Sequence, residues 1–167
     1  MALLKTEEDV NKILGFGDSL VAVEEAIENL DIISTVTTSR TTLFEADLLK
    51  PGVHINAVGA NCPERQELSH SVIQKCNLIV TDYKEQAKIE SGNLISAVNK
   101  GLITWNKFFE LGDLINGKIP GRQKDSQTAL FVSNGFVIED VAVAIRIYQW
   151  AIEQGLGKEI SFRSYLS

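Results

Sequence analysis

Apolar positions along the chain alternate between short β-branched runs and longer stretches of helical spacing. Asp31 to Thr37 sets Ile32, Ile33, Val36 and three hydroxyl residues together, the composition of a buried strand. His54 to Val58, Leu78 to Asp82 and Thr128 to Val132 repeat the pattern. Between these runs, Ser69 to Lys75 predicts a short helix, Glu85 to Lys100 a longer one, and Trp105 to Ile115 another. The last segment is the strongest helix, because Val137, Val141, Ala144, Ile145, Tyr148 and Ile152 share one face and Gly155 and Gly157 follow as stops. At the other end, Thr6 caps a predicted helix through Leu14, and Ala22 to Leu30 predicts a second. Strands alternating with helices predict an α/β fold: a mostly parallel sheet of about four strands flanked by helices, closed by a long C-terminal helix. No Ser-rich or charge-rich linker divides residues 1–167, so one domain is expected, with residues 1–22 as a helical lead-in.

Composition narrows the function classes. A 44% hydrophobic fraction with 23% charged residues is ordinary for a globular domain, and no apolar run approaches the length of a membrane helix. A net charge of -6 argues against non-specific nucleic-acid binding, which needs clustered Lys and Arg. Met1 to Asp9 turns acidic without the pattern of a secretory signal, so a cytoplasmic location is expected. Cys62 and Cys76 lack the spacing of a zinc site or a redox pair and read as reduced thiols, with a mutual bridge as the alternative. His54 and His70 have no partner spacing suited to a metal, and no metal site is expected.

Chemistry is best sought in Lys50 to Leu68. There a strand-like run ends at Gly59, where the backbone can turn, and is followed by Asn61, Glu64, Arg65 and Glu67. Ligands of open α/β sheets gather just beyond the carboxyl ends of the strands. Gly15, Phe16 and Gly17 form half of a dinucleotide fingerprint, but Leu20 stands at the third glycine's position and no strand precedes it. A pyrophosphate cradle and a plain inter-helix turn both stay open there. Lys118, Arg122, Lys124 and Asp125 form a mixed-charge loop that reads as solvated.

From about Val23 to Ile160 the chain resembles the later part of the nucleotide-binding domain of the ornithine cyclodeaminase/mu-crystallin family. The resemblance is carried by Glu24 to Thr37, Leu49 to Gly59, Gly121 to Gln127 and Ser133 to Asp140. It implies a partial Rossmann-like domain of roughly half the family's length, lacking the N-terminal substrate domain and the glycine-rich turn. It also implies cofactor contacts at Thr35, Ile55, Asn56, Ala57, Val58, Arg65 and Ser133, a substrate contact at Asn134, and NAD or NADP as the cofactor.

Asn61 stands where deaminating members carry a proton-relaying aspartate. A primary amide cannot take and return a proton near neutral pH. A silent, self-associating relative with a remnant NAD(P) site is therefore expected. Two alternatives are an NAD(P)-dependent cyclodeaminase or dehydrogenase completed by another chain, and a regulatory subunit of a full-length homologue. Without the earlier strands of the fold, Asp31 to Thr37 becomes a sheet edge, a template for a second copy. As structural alternatives, Asn61 is a turn residue tolerant of left-handed backbone, Arg65 pairs with Glu64 or Glu67, and Ser133 caps the final helix.

Overall fold

The structure, a computed structural model, describes residues 24–158 and residue 160. The helix expected from Thr6 to Leu14 and the Gly15 to Gly17 turn lie outside those residues. Contacts gather the chain into two compact units, one running up to Asn134 and one from Gly135 onward.

The first unit is built on a parallel sheet of five strands: β1 (Ile32–Thr35), β2 (His54–Ala57), β3 (Leu78–Thr81), β4 (Phe108–Glu110) and β5 (Ala129–Val132). Their order across the sheet is β1-β2-β5-β3-β4. Register sorts the side chains into rows. Ile33, Ile55, Leu130, Ile79 and Phe108 lie side by side, and so do Thr35, Ala57, Val132, Thr81 and Glu110. Because the second row is the last residue of every strand, the loops after β1, β2, β5 and β3 leave the sheet together.

Among the described residues this unit carries the helices α1 (His70–Lys75), α2 (Lys84–Glu90), α3 (Gly92–Asn99) and α4 (Leu111–Ile115). Residues 24–29 add a helical segment, and Ala46–Leu48 and Trp105–Lys107 form 3-10 turns. Ser69 caps α1, its hydroxyl accepting from the Val72 amide at 3.3 Å. Lys75, in the last turn of α1, donates to the carbonyls of Ala46 and Leu49 at 2.6 Å each. Val72, Ile73, Leu94 and Ala97 are buried with Ile33, Ile55, Ile79, Leu130 and Phe108 in one apolar cluster. Trp105 packs edge-on against Phe108, ring centres 5.2 Å apart.

Two expectations are corrected by tertiary contacts. The helix expected from Glu85 to Lys100 is two helices, broken where Ser91 takes an extended backbone. The break lets the loop after β2 lie against the start of α3. The Gly92 amide donates to the Ala60 carbonyl at 3.2 Å, and a Cβ on Gly92 would collide with the Arg65 carbonyl. The helix expected from Trp105 to Ile115 survives only as α4. Its first three residues form the Trp105–Lys107 3-10 turn, and the next three become β4, a fifth strand, because Phe108 is fully buried and pairs with Ile79. Burying that ring beside β3 outweighs the local helical spacing.

The second unit is dominated by α5 (Val137–Glu153), with Glu139 and Asp140 in its first turn and Arg146 stacked 4.7 Å from the centre of the Trp150 ring. It ends as its glycines predict. Gly155 adopts φ 64°, its amide donates to the Ile152 carbonyl at 3.1 Å, and the Leu156 amide donates to Ala151 at 2.8 Å. No helix among the described residues is long and apolar enough to cross a membrane.

Candidate functional site at the carboxyl edge of the sheet

In-register strand ends bring four loops to one edge, and two buried carboxylates tie them in pairs. Glu67, fully buried, serves the β1 and β2 ends. One of its oxygens accepts from the Thr37 amide at 2.6 Å; the other accepts from the Thr35 hydroxyl and the Gly59 amide at 2.9 Å each. Asp82, 9% exposed, serves the β3 and β5 ends. Its Oδ2 accepts from the Ser133 hydroxyl at 3.1 Å and the Asn134 amide at 2.8 Å, while its Oδ1 accepts from the Thr81 hydroxyl and the Tyr83 amide. Charge-assisted bonds of this kind let a carboxylate sit away from water.

Gly59 is required by space rather than by dihedral. Its φ is not positive, but a Cβ there would run into the Thr37 backbone and the Glu67 carboxylate. Asn61 likewise has no left-handed backbone. Its side chain is held instead by Arg65, whose Nη1 donates to Asn61 Oδ1 at 2.7 Å and reaches the Gly59 carbonyl at 3.4 Å. The polar cluster of Asn61, Glu64, Arg65 and Glu67 thus divides in two. Asn61 and Arg65 meet at the surface, whereas Glu67 turns inward.

The remaining predicted site residues separate by parity along the strands. Thr35 and Ala57 are buried in the last row, and Val58 is 37% exposed just beyond it. Ile55 is fully enclosed in the apolar core. Asn56 lies on the opposite face, where its Oδ1 meets His54 Nε2 at 3.0 Å and its Nδ2 donates to Ser34 at 3.2 Å. That face borders a cavity of about 780 Å³ lined by His54, Asn56, Val80, Leu111, Leu114 and Phe131. Ser133 donates to Asp82. Asn134 is only 7% exposed, yet neither its side-chain oxygen nor its nitrogen finds a hydrogen-bond partner among the described residues. A buried amide without partners is costly in a closed interior, so its donor and acceptor suit a polar ligand at this edge.

Thr37, Asp82 and Asn93 are not among the residues expected at the site, and Glu67 is expected there only as one member of the polar cluster. Asp82 had a signal, an acidic residue directly after the apolar run Leu78 to Thr81. Glu67 could not be told from Glu64 by sequence, since only packing buries one of them. Elsewhere, His70 Nε2 meets the Ser96 hydroxyl at 2.9 Å, and burial, then the Lys100 charge, lowers its pKa. Cys62 and Cys76 are free thiols. In the mixed-charge loop, Lys118 pairs with Asp113 at 2.9 Å and Arg122 donates to the Gly52 carbonyl at 2.6 Å.

Comparison with known proteins places these features in context. The model of the ornithine cyclodeaminase/mu-crystallin family matches residues 6–155. A Delta(1)-pyrroline-2-carboxylate reductase from Bacillus cereus is 40% identical over 139 residues, covering 83% of this chain and 42% of that protein. Among solved structures, the Thermococcus litoralis Delta(1)-pyrroline-2-carboxylate reductase in complex with NADH and L-proline superposes with a TM-score of 0.78 at 28% identity. It covers 93% of this chain and 50% of its own. An archaeal alanine dehydrogenase dimer with bound NAD gives a TM-score of 0.73 at 38% identity, over 83% of this chain and 43% of its own. The chain therefore spans half or less of the length of these relatives.

Proposed function

The chain belongs to the ornithine cyclodeaminase/mu-crystallin family, and on that footing we propose that it is a catalytically silent, self-associating member that keeps a remnant NAD(P)-binding edge. The observation that carries the proposal is the state of Asn61. At the position of the family's proton-relaying carboxylate stands an amide whose oxygen is already engaged by Arg65. Such a group orients a neighbour but cannot shuttle a proton.

The residues fit a nicotinamide dinucleotide at one end of the site. Thr35, Ala57 and Val58 at the strand ends, with Arg65 and Ser133, would hold it, and the unpartnered Asn134 amide offers both a donor and an acceptor. When bound, the cofactor supplies a hydride. The chain's own part is binding and orientation. Titration with NADH and NADPH tests this directly. Binding is expected at submillimolar to millimolar concentration, and saturation at 100 times the dissociation constant adds about 2.7 kcal/mol of stability. An unchanged Tm and unchanged nicotinamide fluorescence would remove the cofactor from the proposal. Oxidation of NADH by added Delta(1)-pyrroline-2-carboxylate would end the claim of silence and favour the second reading. In that reading the chain contributes to an enzyme whose site another polypeptide, such as a full-length homologue, completes; its support is the similarity to Delta(1)-pyrroline-2-carboxylate reductases.

Self-association is proposed through β1, which is the outermost strand of the sheet among the described residues. Asp31 and Thr35 turn their carbonyls toward β2, so the peptide groups of Ile32 and Ser34 point outward. Ser34→Pro removes one outward N–H and leaves the β2 ladder intact. Light scattering should give at least a dimer for the unaltered chain and a smaller mass for the variant; a monomer in both cases sinks the idea.

A further inference from the structure

Glu67 is a fully buried ionisable group with three side-chain hydrogen bonds and no assigned role. Its position is fixed from behind. The amides of Glu67 and Leu68 both donate to Asn93 Oδ1, at 2.9 and 3.0 Å, and the Glu67 carbonyl accepts from the Leu43 amide at 2.8 Å. From this anchor the carboxylate reaches forward to three donors at two strand ends, Thr35 closing β1, Thr37 just beyond it, and Gly59 after β2. The missing Cβ of Gly59 is what lets the three groups meet.

We propose that Glu67 is a positioning residue that sets the spacing and direction of the β1 and β2 loops for ligand binding, an inference that rests on the cofactor-edge proposal above. The chemistry requires a carboxylate of this length. Both oxygens must accept, and an ionised carboxylate is acceptor-only. Glutamine presents one oxygen and one NH2 group. Placed either way, the NH2 faces a peptide N–H, of Thr37 in one orientation and of Gly59 in the other. Aspartate keeps the charge but is one methylene short of the three donors.

Glu67→Gln, with Thr35→Val as a milder variant that deletes only the hydroxyl contact, tests the proposal by two measurements on the full chain. The first is amide hydrogen exchange without ligand. Leaving a buried donor unsatisfied should speed exchange at Thr37 and Gly59 by about tenfold or more. The amides of His54 and Ala129, at the opposite end of the same sheet, should be unchanged. The second is NADH affinity by nicotinamide fluorescence, which should weaken by about tenfold in Glu67→Gln and less in Thr35→Val. Acceleration at all four amides alike, or local loosening with unaltered NADH affinity, would reduce Glu67 to a fold-holding residue and overturn the proposal. If the unaltered chain binds no NADH, the cofactor edge itself fails and the positioning role falls with it; if the unaltered chain binds and Glu67→Gln binds equally well, only the positioning role fails. If Glu67→Gln does not fold, the same readings on Glu67→Asp decide, because aspartate keeps the charge but falls short of the three donors.

Discussion

On the face of the sheet that carries Ile33, Ile55, Leu130, Ile79 and Phe108, these five side chains are buried with the apolar residues of α1 and α3. On the reverse face, Ile32 is 61% exposed, His54, Asn56 and Ser34 form a short polar ladder, and Phe131 and Val80 border the cavity. The residues alternate one by one along the same strands, so a single-residue shift of register would exchange the two environments. Parallel sheets are ordinarily covered on both faces. The contrast teaches that burial in this unit is concentrated on one face, and that the two buried carboxylates, Glu67 and Asp82, lie at its carboxyl edge.

The sharpest way to break the contrast uses two neighbours on β4. Phe108 is fully buried and Phe109 is 36% exposed. Phe108→Ala should cost about 3–5 kcal/mol by chemical denaturation, and Phe109→Ala less than about 1 kcal/mol. Equal costs would mean that the two faces do not differ as described. A smaller effect separates two glycines. Gly59→Ala places a methyl group against the Thr37 backbone and should cost about 1–3 kcal/mol. Gly101 meets nothing within 4 Å but holds φ 68°, so Gly101→Ala should cost about 1 kcal/mol for dihedral reasons alone. Only the first should also weaken NADH binding.

The smallest effect is confined to alkaline pH. Burial, opposed by the Lys75 charge, pushes the Cys76 thiol up to about 12 from an ordinary 9.0. The unfolded chain therefore loses this proton first as pH rises, and stability should fall between the two values while staying unaffected below them. Cys76→Ala should flatten that alkaline slope, as followed by Tm against pH. An unaltered slope would place Cys76 in water rather than at the margin of the buried face.

Much of this was legible in the chain. The runs at Ile32, His54, Leu78 and Ala129 are dense in β-branched and apolar residues, and each became a strand within a residue or two of its expected ends. Helix α5 followed its own spacing and stopped at Gly155. Lys50 to Leu68 was recognisable as a strand, a glycine turn and a polar cluster. Within that cluster, however, nothing local distinguishes Glu67 from Glu64, because both are acidic residues in a polar loop. What separates them is the approach of Thr35, Thr37 and Asn93, which lie about 30 residues before and 26 residues after Glu67.

Local pattern thus determined the element types, the α/β class and the family resemblance, since those depend on side-chain periodicity and short motifs. The tertiary structure decided the rest. It cut the long predicted helix at Ser91 so that a loop could pack, and it turned Phe108 into a strand residue because β3 offered a partner. It also showed that Gly59 is glycine because two strand ends and a buried carboxylate converge on the place where its side chain would be.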